Sequence, residues 1–304
     1  MRTELISAEL YALPSLISPD SRKVYVACGE YVMSYSLKTG QLLEATDEIL
    51  TKPTSLAIVN NKLAISDANG CRSFSNDFGS PLVSVSAFSI VAQSGSLTVL
   101  SSSPETLFYV VGDLSNPVVE IHSRGVFSRV SCSEKMVCAV IDGKTLFTYD
   151  IESGESRSDL KGSFTSTAVC DKEVVVGDSL GRIHRFPSNE MLHWHATPVS
   201  SLVFTSNGSV LLSGGEEGVV CMWTKNKSQP QCIPRLGGAI AHISLSGNQF
   251  ACVSLETTNR IVIVDLFTRS VHSVISAIYS RPSVILETAE NTILALDESR
   301  TEVE

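Results

Sequence analysis

The chain has 304 residues, 43% of them apolar and 18% charged, which supplies a core and excludes a disordered polymer. Its net charge of −9 is opposite in sign to the footprint of a domain that grips phosphates unaided, so direct sequence-specific nucleic-acid binding is disfavoured. Its eight cysteines sit mostly in apolar strand patterns without C-x-x-C spacing, which points to buried free thiols rather than zinc, and Met-Arg-Thr-Glu at the start carries no apolar signal segment.

Along the chain, turns between a first and a second predicted strand fall at Asp20, Asn60, Ser94, Ser133, Asp171, Asn207 and Gly247, with gaps of 40, 34, 39, 38, 36 and 40 residues. Behind each turn the same grammar returns. The second strands read KVYVACG, KLAISD, SLTVLS, MVCAVID, EVVVGD, SVLLSG and FACVSL, and the third YVMSYSL, CRSFS, LFYVVGD, LFTYDI, RIHRF, VVCMW and IVIVDL. The stretch from Phe78 to Pro104 holds no charge, but Ser84, Ser86, Ser89, Gln93, Ser94, Gly95 and Ser96 interrupt the roughly 20-residue apolar run that a spanning helix needs. Val83, Val85 and Ala87 alternate with serines there, which predicts two strands and no membrane span. Arg157, Lys161, Lys172, Arg182 and Arg185 form a loose basic cluster interrupted by acids, so any RNA contact is expected to be weak or indirect.

Residues 192–223, LHWHATPVSSLVFTSNGSVLLSGGEEGVVCMW, spell one repeat most fully. His195 opens it, and Val199, Leu202 and Phe204 alternate on a first strand. Asn207 and Gly208 supply two residues suited to the positive φ of a tight hairpin. A second strand over 210–213 leads to a turn over 214–218 with Glu216 and Glu217, and a third strand through Val219, Val220 and Met222 ends on Trp223. This is the pattern of a WD-type propeller blade. In that repeat a His, a turn acid, a strand Ser or Thr and a Trp nitrogen bond in series, and His195, Ser213, Glu217 and Trp223 stand in those places as a structural tetrad. The repeat carries Asp where this chain has the longer Glu217. A catalytic reading of the Ser/His pair lacks an oxyanion hole. In four other repeats Tyr35, Phe74, Tyr149 and Phe186 hold the Trp place, so those blades are expected to rely on apolar packing.

The fold class is therefore all-β, a seven-bladed WD-repeat β-propeller over 1–275. Residues 276–304, with SVILET and TILALD as two further strands, either close the ring or begin a second propeller. Acids recur once per repeat in the turn after the second strand: Glu30, Asp67, Glu105, Asp142, Asp178, Glu217 and Glu256. They either satisfy turn amides or form a ring of negative potential that docks a basic segment. The joining loops add His193, Trp194 and Arg235 to the candidate interaction surface. Arg235 suits a partner carboxylate or phosphate as a fork-shaped donor, or else carbonyls between blades. His193 and His195 have no convergent third ligand, and no metal, cofactor or catalytic residue is assigned.

The fragments LHWH, LLSGGEE, IPRLGG and HISLSG, in this order and spacing, resemble the WD-repeat subunit of the t-UTP, or UtpA, subcomplex of the eukaryotic small-subunit processome, closely over about residues 190–265. The resemblance implies a non-enzymatic scaffold of the nucleus and nucleolus. It would act in early pre-rRNA processing, small ribosomal subunit biogenesis and RNA polymerase I transcription. The implied partners are other t-UTP proteins and the pre-ribosomal small nucleolar ribonucleoprotein. Family members carry a second propeller and a helical region, so this chain corresponds to the first propeller. The alternative is a generic WD adaptor such as a ubiquitin-ligase substrate receptor, although Trp223 is followed by Thr224, Lys225 and Asn226 rather than by the Asp-x-Arg of such receptors. Hydrolytic propellers form a third class, but no paired carboxylates with a positioning His emerge.

Overall fold

The computed structural model describes residues 10, 12–29, 31–46, 51–74, 83–85, 88–121, 124–171, 173–224, 227, 229–276, 282–287 and 293–297. Seven antiparallel four-stranded sheets follow one another, over residues 16–45, 55–85, 89–121, 127–159, 164–193, 199–232 and 240–276, and are numbered here as blades 1 to 7. Within each, the strands pair in chain order. The first strand of each blade neighbours that of the next, and Ile240–Ser246 of blade 7 neighbours Leu16–Ile17 of blade 1, which closes a seven-bladed propeller.

Packing explains the strand grammar. Second strands are covered on both faces by neighbouring blades and so read as almost continuous apolar runs, as in Met136–Ile141 and Glu173–Asp178. Fourth strands form the outer edge, and Gly154–Asp159 (GESRSD) is exposed and charged, which blunts edge-to-edge pairing. The apolar core is divided among the seams. Leu212, Val220 and Met222 of blade 6 pack on Ile240, Ile243 and Val253 of blade 7, and equivalent clusters fill the other six junctions.

In blades 3 to 7 the innermost strand carries a one-residue bulge against the second strand, at Val91, within Arg129–Val130, and at Thr165, Ser200 and Ala241. Thr165 Oγ1 donates to the Val199 carbonyl at 2.7 Å, and Ser200 Oγ donates to the Ile240 carbonyl, so two bulges stitch one blade to the next. The seam between blades 7 and 1 is bonded differently. Ser244 Oγ donates to the Ser15 carbonyl, Ser273 Oγ to the Leu37 carbonyl at 2.6 Å, and the Leu10 amide to Asn259 Oδ1 at 2.7 Å. The strands Pro282–Glu287 and Ile293–Asp297 pair with each other in a separate two-stranded sheet.

Two local expectations change. The uncharged stretch holds three described strands rather than two: Val83–Val85, Ser89–Ser94 and Leu97–Ser103. No helix among the described residues is long and apolar enough to cross a membrane. At residues 207–208 only Gly208 has positive φ, +63°, because the connection is longer than two residues. The Gly208 amide bonds the Thr205 carbonyl at 2.7 Å, and Asn207 Oδ1 accepts from the Ser209 amide at 3.1 Å.

Candidate functional site

Blade 6 brings the four tetrad residues into one hydrogen-bonded chain. Trp223 Nε1 donates to Ser213 Oγ at 2.8 Å, and Ser213 Oγ meets His195 Nε2 at 2.7 Å. His195 Nδ1 bonds Glu217 Oε1, and Thr197 Oγ1 donates to Glu217 Oε2. Each donor finds an acceptor if Ser213 donates to Nε2 and the Nδ1 hydrogen points at the carboxylate. Trp223, Ser213 and His195 are buried. Burial pushes the Glu217 carboxyl up, but the bonds from Thr197 and His195 outweigh it and hold it below the ordinary range. Thr197, which also accepts from the Glu217 amide at 3.2 Å, escaped the sequence reading because the blade pattern does not mark it.

The turns after the second strands share a rim with the loops that join blades. Gly181, φ +79°, lies against the His195 and Thr197 carbonyls, leaving no room for a Cβ. In blade 6 the same contact recurs one step on: Gly218, φ +78°, lies under the Gly238 carbonyl, where a Cβ would come within 2.6 Å, and its own carbonyl accepts from the Leu236 amide at 2.9 Å. Two glycines thus seat the two joining loops that hold His193, Trp194 and Arg235. All three side chains are exposed. Trp194, 41% exposed, stands edge-on to His195 with centroids 5.5 Å apart. Among the described residues Arg235 bonds none. Beside Gly181 the rim exposes Leu180 to 61%, a residue that the sequence did not single out because turn positions follow no apolar period.

The continuous acidic ring requires correction. Asp67 and Asp178 are buried. Asp67 pairs with Arg72 and accepts the Asn69 amide at 2.8 Å. Asp178 accepts from Arg182 Nε at 2.7 Å, from His184 Nε2 at 2.9 Å, and from the Leu180 and Arg182 amides. Its burial works against ionisation, yet these bonds keep its carboxyl low. Neither presents charge to a partner, and blades 2 and 5 do not rely on apolar packing alone, since each has a polar clamp. Asp142 is exposed but accepts the Val126 amide at 2.9 Å, as the turn reading has it. Glu105 and Glu256 are exposed, and Glu30 lies outside the described residues. The basic cluster is likewise reduced. Arg182 is taken by Asp178 and Arg185 by Glu173 and Glu190, while Lys172 lies outside the described residues. No group of three or more His, Cys, Asp or Glu side chains among the described residues is arranged to hold a metal.

Comparison with known proteins matches this part of the ring. Residues 182–259 fit the family model described as the first β-propeller of WD repeat-containing protein 75. U3 small nucleolar RNA-associated protein 17 of Schizosaccharomyces pombe is 42% identical over 89 residues, covering 27% of this chain and 11% of that protein. WD repeat-containing protein 75 of Homo sapiens is 34% identical over 137 residues, covering 40% of this chain and 16% of that protein. The matched stretch is therefore a small part of either relative. In fold alone, the crystal structure of the computationally designed Ika8 protein is similar, with a TM-score of 0.66 at 17% identity over 95% of this chain and 97% of that one. From the third strand of blade 5 into blade 7, this chain is similar to the first propeller of WD repeat-containing protein 75, in keeping with the t-UTP-like WD-repeat resemblance.

Proposed function

We propose that the chain is a non-enzymatic WD-repeat scaffold of ribosome biogenesis in the nucleolus. In this reading it is a t-UTP/UtpA component of the small-subunit processome that acts in early pre-rRNA processing and supports RNA polymerase I transcription. One observation carries the reading: the family match falls on the blades whose joining loops expose Trp194 and Arg235 beside a tetrad whose polar groups bond one another. Such a rim offers an aromatic anchor and a forked cation for a protein partner. Ser213 Oγ is buried and already shared between Trp223 and His195, which argues against hydrolysis by that pair. The paired state of Arg182 and Arg185 favours protein contacts over direct RNA contacts. The propeller is assigned to residues 1–275, one residue short of the end of the blade 7 strand Ser270–Ser276, with 276–304 as a C-terminal extension that closes the ring or starts a second propeller.

Affinity purification of the tagged chain from nucleolar extract tests this directly. The expected companions are other t-UTP proteins and the pre-ribosomal small nucleolar ribonucleoprotein. Their absence, with a cullin adaptor recovered instead, would replace the scaffold by a ubiquitin-ligase receptor.

A further inference from the structure

Cys221 and Cys232 stand directly opposite each other on the third and fourth strands of blade 6, Val220–Thr224 and Gln231–Cys232. The Ile233 amide donates to the Val220 carbonyl at 2.8 Å, which makes the cysteines a non-hydrogen-bonded cross-strand pair. Such pairs bring their Cα atoms to about 4.5 Å, inside the roughly 4.4–6.8 Å that a disulfide spans. The two sulfurs are 2.9 Å apart as free thiols. Cys132 and Cys138, the other two that share a blade, pair with Val137 and Ser131 across the strands and not with each other.

The pair is also asymmetric. Cys221 is buried and Cys232 is half-buried, so a small oxidant meets Cys232 first. Burial pushes both thiols up, and at Cys232 the bond from Cys221 opposes that rise. Cys232 is thus the entry point and Cys221 the resolving thiol.

We propose that Cys221 and Cys232 form a site of reversible oxidation that closes a cross-strand disulfide in response to a peroxide. The Cys232 thiolate attacks one oxygen of hydrogen peroxide, the O–O bond breaks, and the departing hydroxide leaves as water, giving a sulfenic acid. The Cys221 sulfur then attacks the Cys232 sulfur, the S–S bond forms, the S–O bond breaks, and the hydroxyl leaves as water with the Cys221 proton. Two thiols and one peroxide give one disulfide and two waters. The two electrons lost by sulfur reduce the peroxide, and a dithiol reverses the step. The bond ties down a fourth strand of only two residues, and the chain leaves Cys232 straight into the loop that presents Arg235.

The test treats the reduced full chain with graded hydrogen peroxide, alkylates the remaining thiols, digests without reductant and maps linked peptides by mass spectrometry. Exposed Met191 serves as the internal oxidation control. The expected result is a Cys221–Cys232 cross-link with two of the eight thiols lost, restored by dithiothreitol, and an upward shift in Tm of the oxidised form. In the Cys221→Ser variant Cys232 should stop at a sulfenic acid that dimedone traps, whereas Cys232→Ser should leave Cys221 reduced. Full alkylation of both cysteines in the wild-type chain once Met191 is oxidised would overturn the proposal. So would a cross-link joining either of them to another cysteine.

Discussion

Asp178 in blade 5 and Gly215 in blade 6 hold the same post: each ends its second strand and pairs with the residue just before the inner bulge, Phe164 in one blade and Val199 in the other. In blade 5 that post supplies the buried carboxylate itself. In blade 6 it is bare, and Glu217, two residues on, folds its carboxylate over the glycine, with Oε1 2.8 Å from where a Cβ would lie. The extra methylene of Glu217 relative to Asp is accommodated by the missing side chain of Gly215. Gly215→Ala should displace the carboxylate and destabilise the ring by about 1–3 kcal/mol, the usual cost of overpacking. Urea denaturation of the two proteins measures it.

Ser213 serves two partners at once. Ser213→Ala leaves the buried Trp223 N–H without an acceptor and His195 Nε2 without a donor, so its cost should exceed that of an ordinary lost hydrogen bond and fall at about 1–3 kcal/mol per orphaned group. A double-mutant cycle with Trp223→Phe, read from Tm and urea midpoints, should show a coupling well above zero.

The lowered carboxyls of Glu217 and Asp178 tie stability to pH. Both are more acidic folded than unfolded, so their contribution is complete above the unfolded value of about 4 and fades as pH falls through the lower folded value. Urea midpoints measured from pH 7 downward should hold level and then drop below about pH 4. Glu217→Gln should start lower at pH 7 and lose part of that acid-side slope. An unchanged slope would remove Glu217 from the account.

Trp194 and Arg235 lie on rim loops that Gly181 and Gly218 seat at the His195, Thr197 and Gly238 carbonyls. Trp194→Ala and Arg235→Ala should change stability by no more than about 0.5 kcal/mol, as surface substitutions do, while reducing recovery of nucleolar companions in affinity purification. Gly218→Ala is the informative contrast. It leaves both side chains in place but drives a Cβ into the Gly238 carbonyl, so it should weaken capture by moving the Arg235 loop.

The ring was legible because second strands are buried on both faces and write near-continuous apolar runs such as MVCAVI, joined in blade 7 by the third strand RIVIVD, at a near-constant spacing. Fourth strands left little trace. They lie at the periphery, where GESRSD reads like a loop, and Gln231–Cys232 is too short to show a period. The tetrad was legible through its indole and imidazole, whose polar atoms need partners inside a blade. The fate of Asp67 and Asp178 was not, because an acid in a turn looks solvent-facing until the Arg or His that draws it inward is placed across the hairpin, as Arg72, Arg182 and His184 are. Those same pairings dissolved part of the supposed basic cluster.

Each described blade takes its four strands from one uninterrupted stretch of chain, so no strand is exchanged across the junction of blades 7 and 1. Where Ser244 reaches Ser15, Ser273 reaches Leu37 and Asn259 holds Leu10, the circle is fastened by side chains and not by a shared sheet. The six other junctions join blades that are also covalent neighbours, whereas this one joins residues more than two hundred positions apart, and parting it costs no covalent strain. Opening fluctuations of the propeller should therefore begin there, with amides of Leu16–Ile17 and Ile240–Ser246 exchanging with solvent ahead of those in blades 5 and 6.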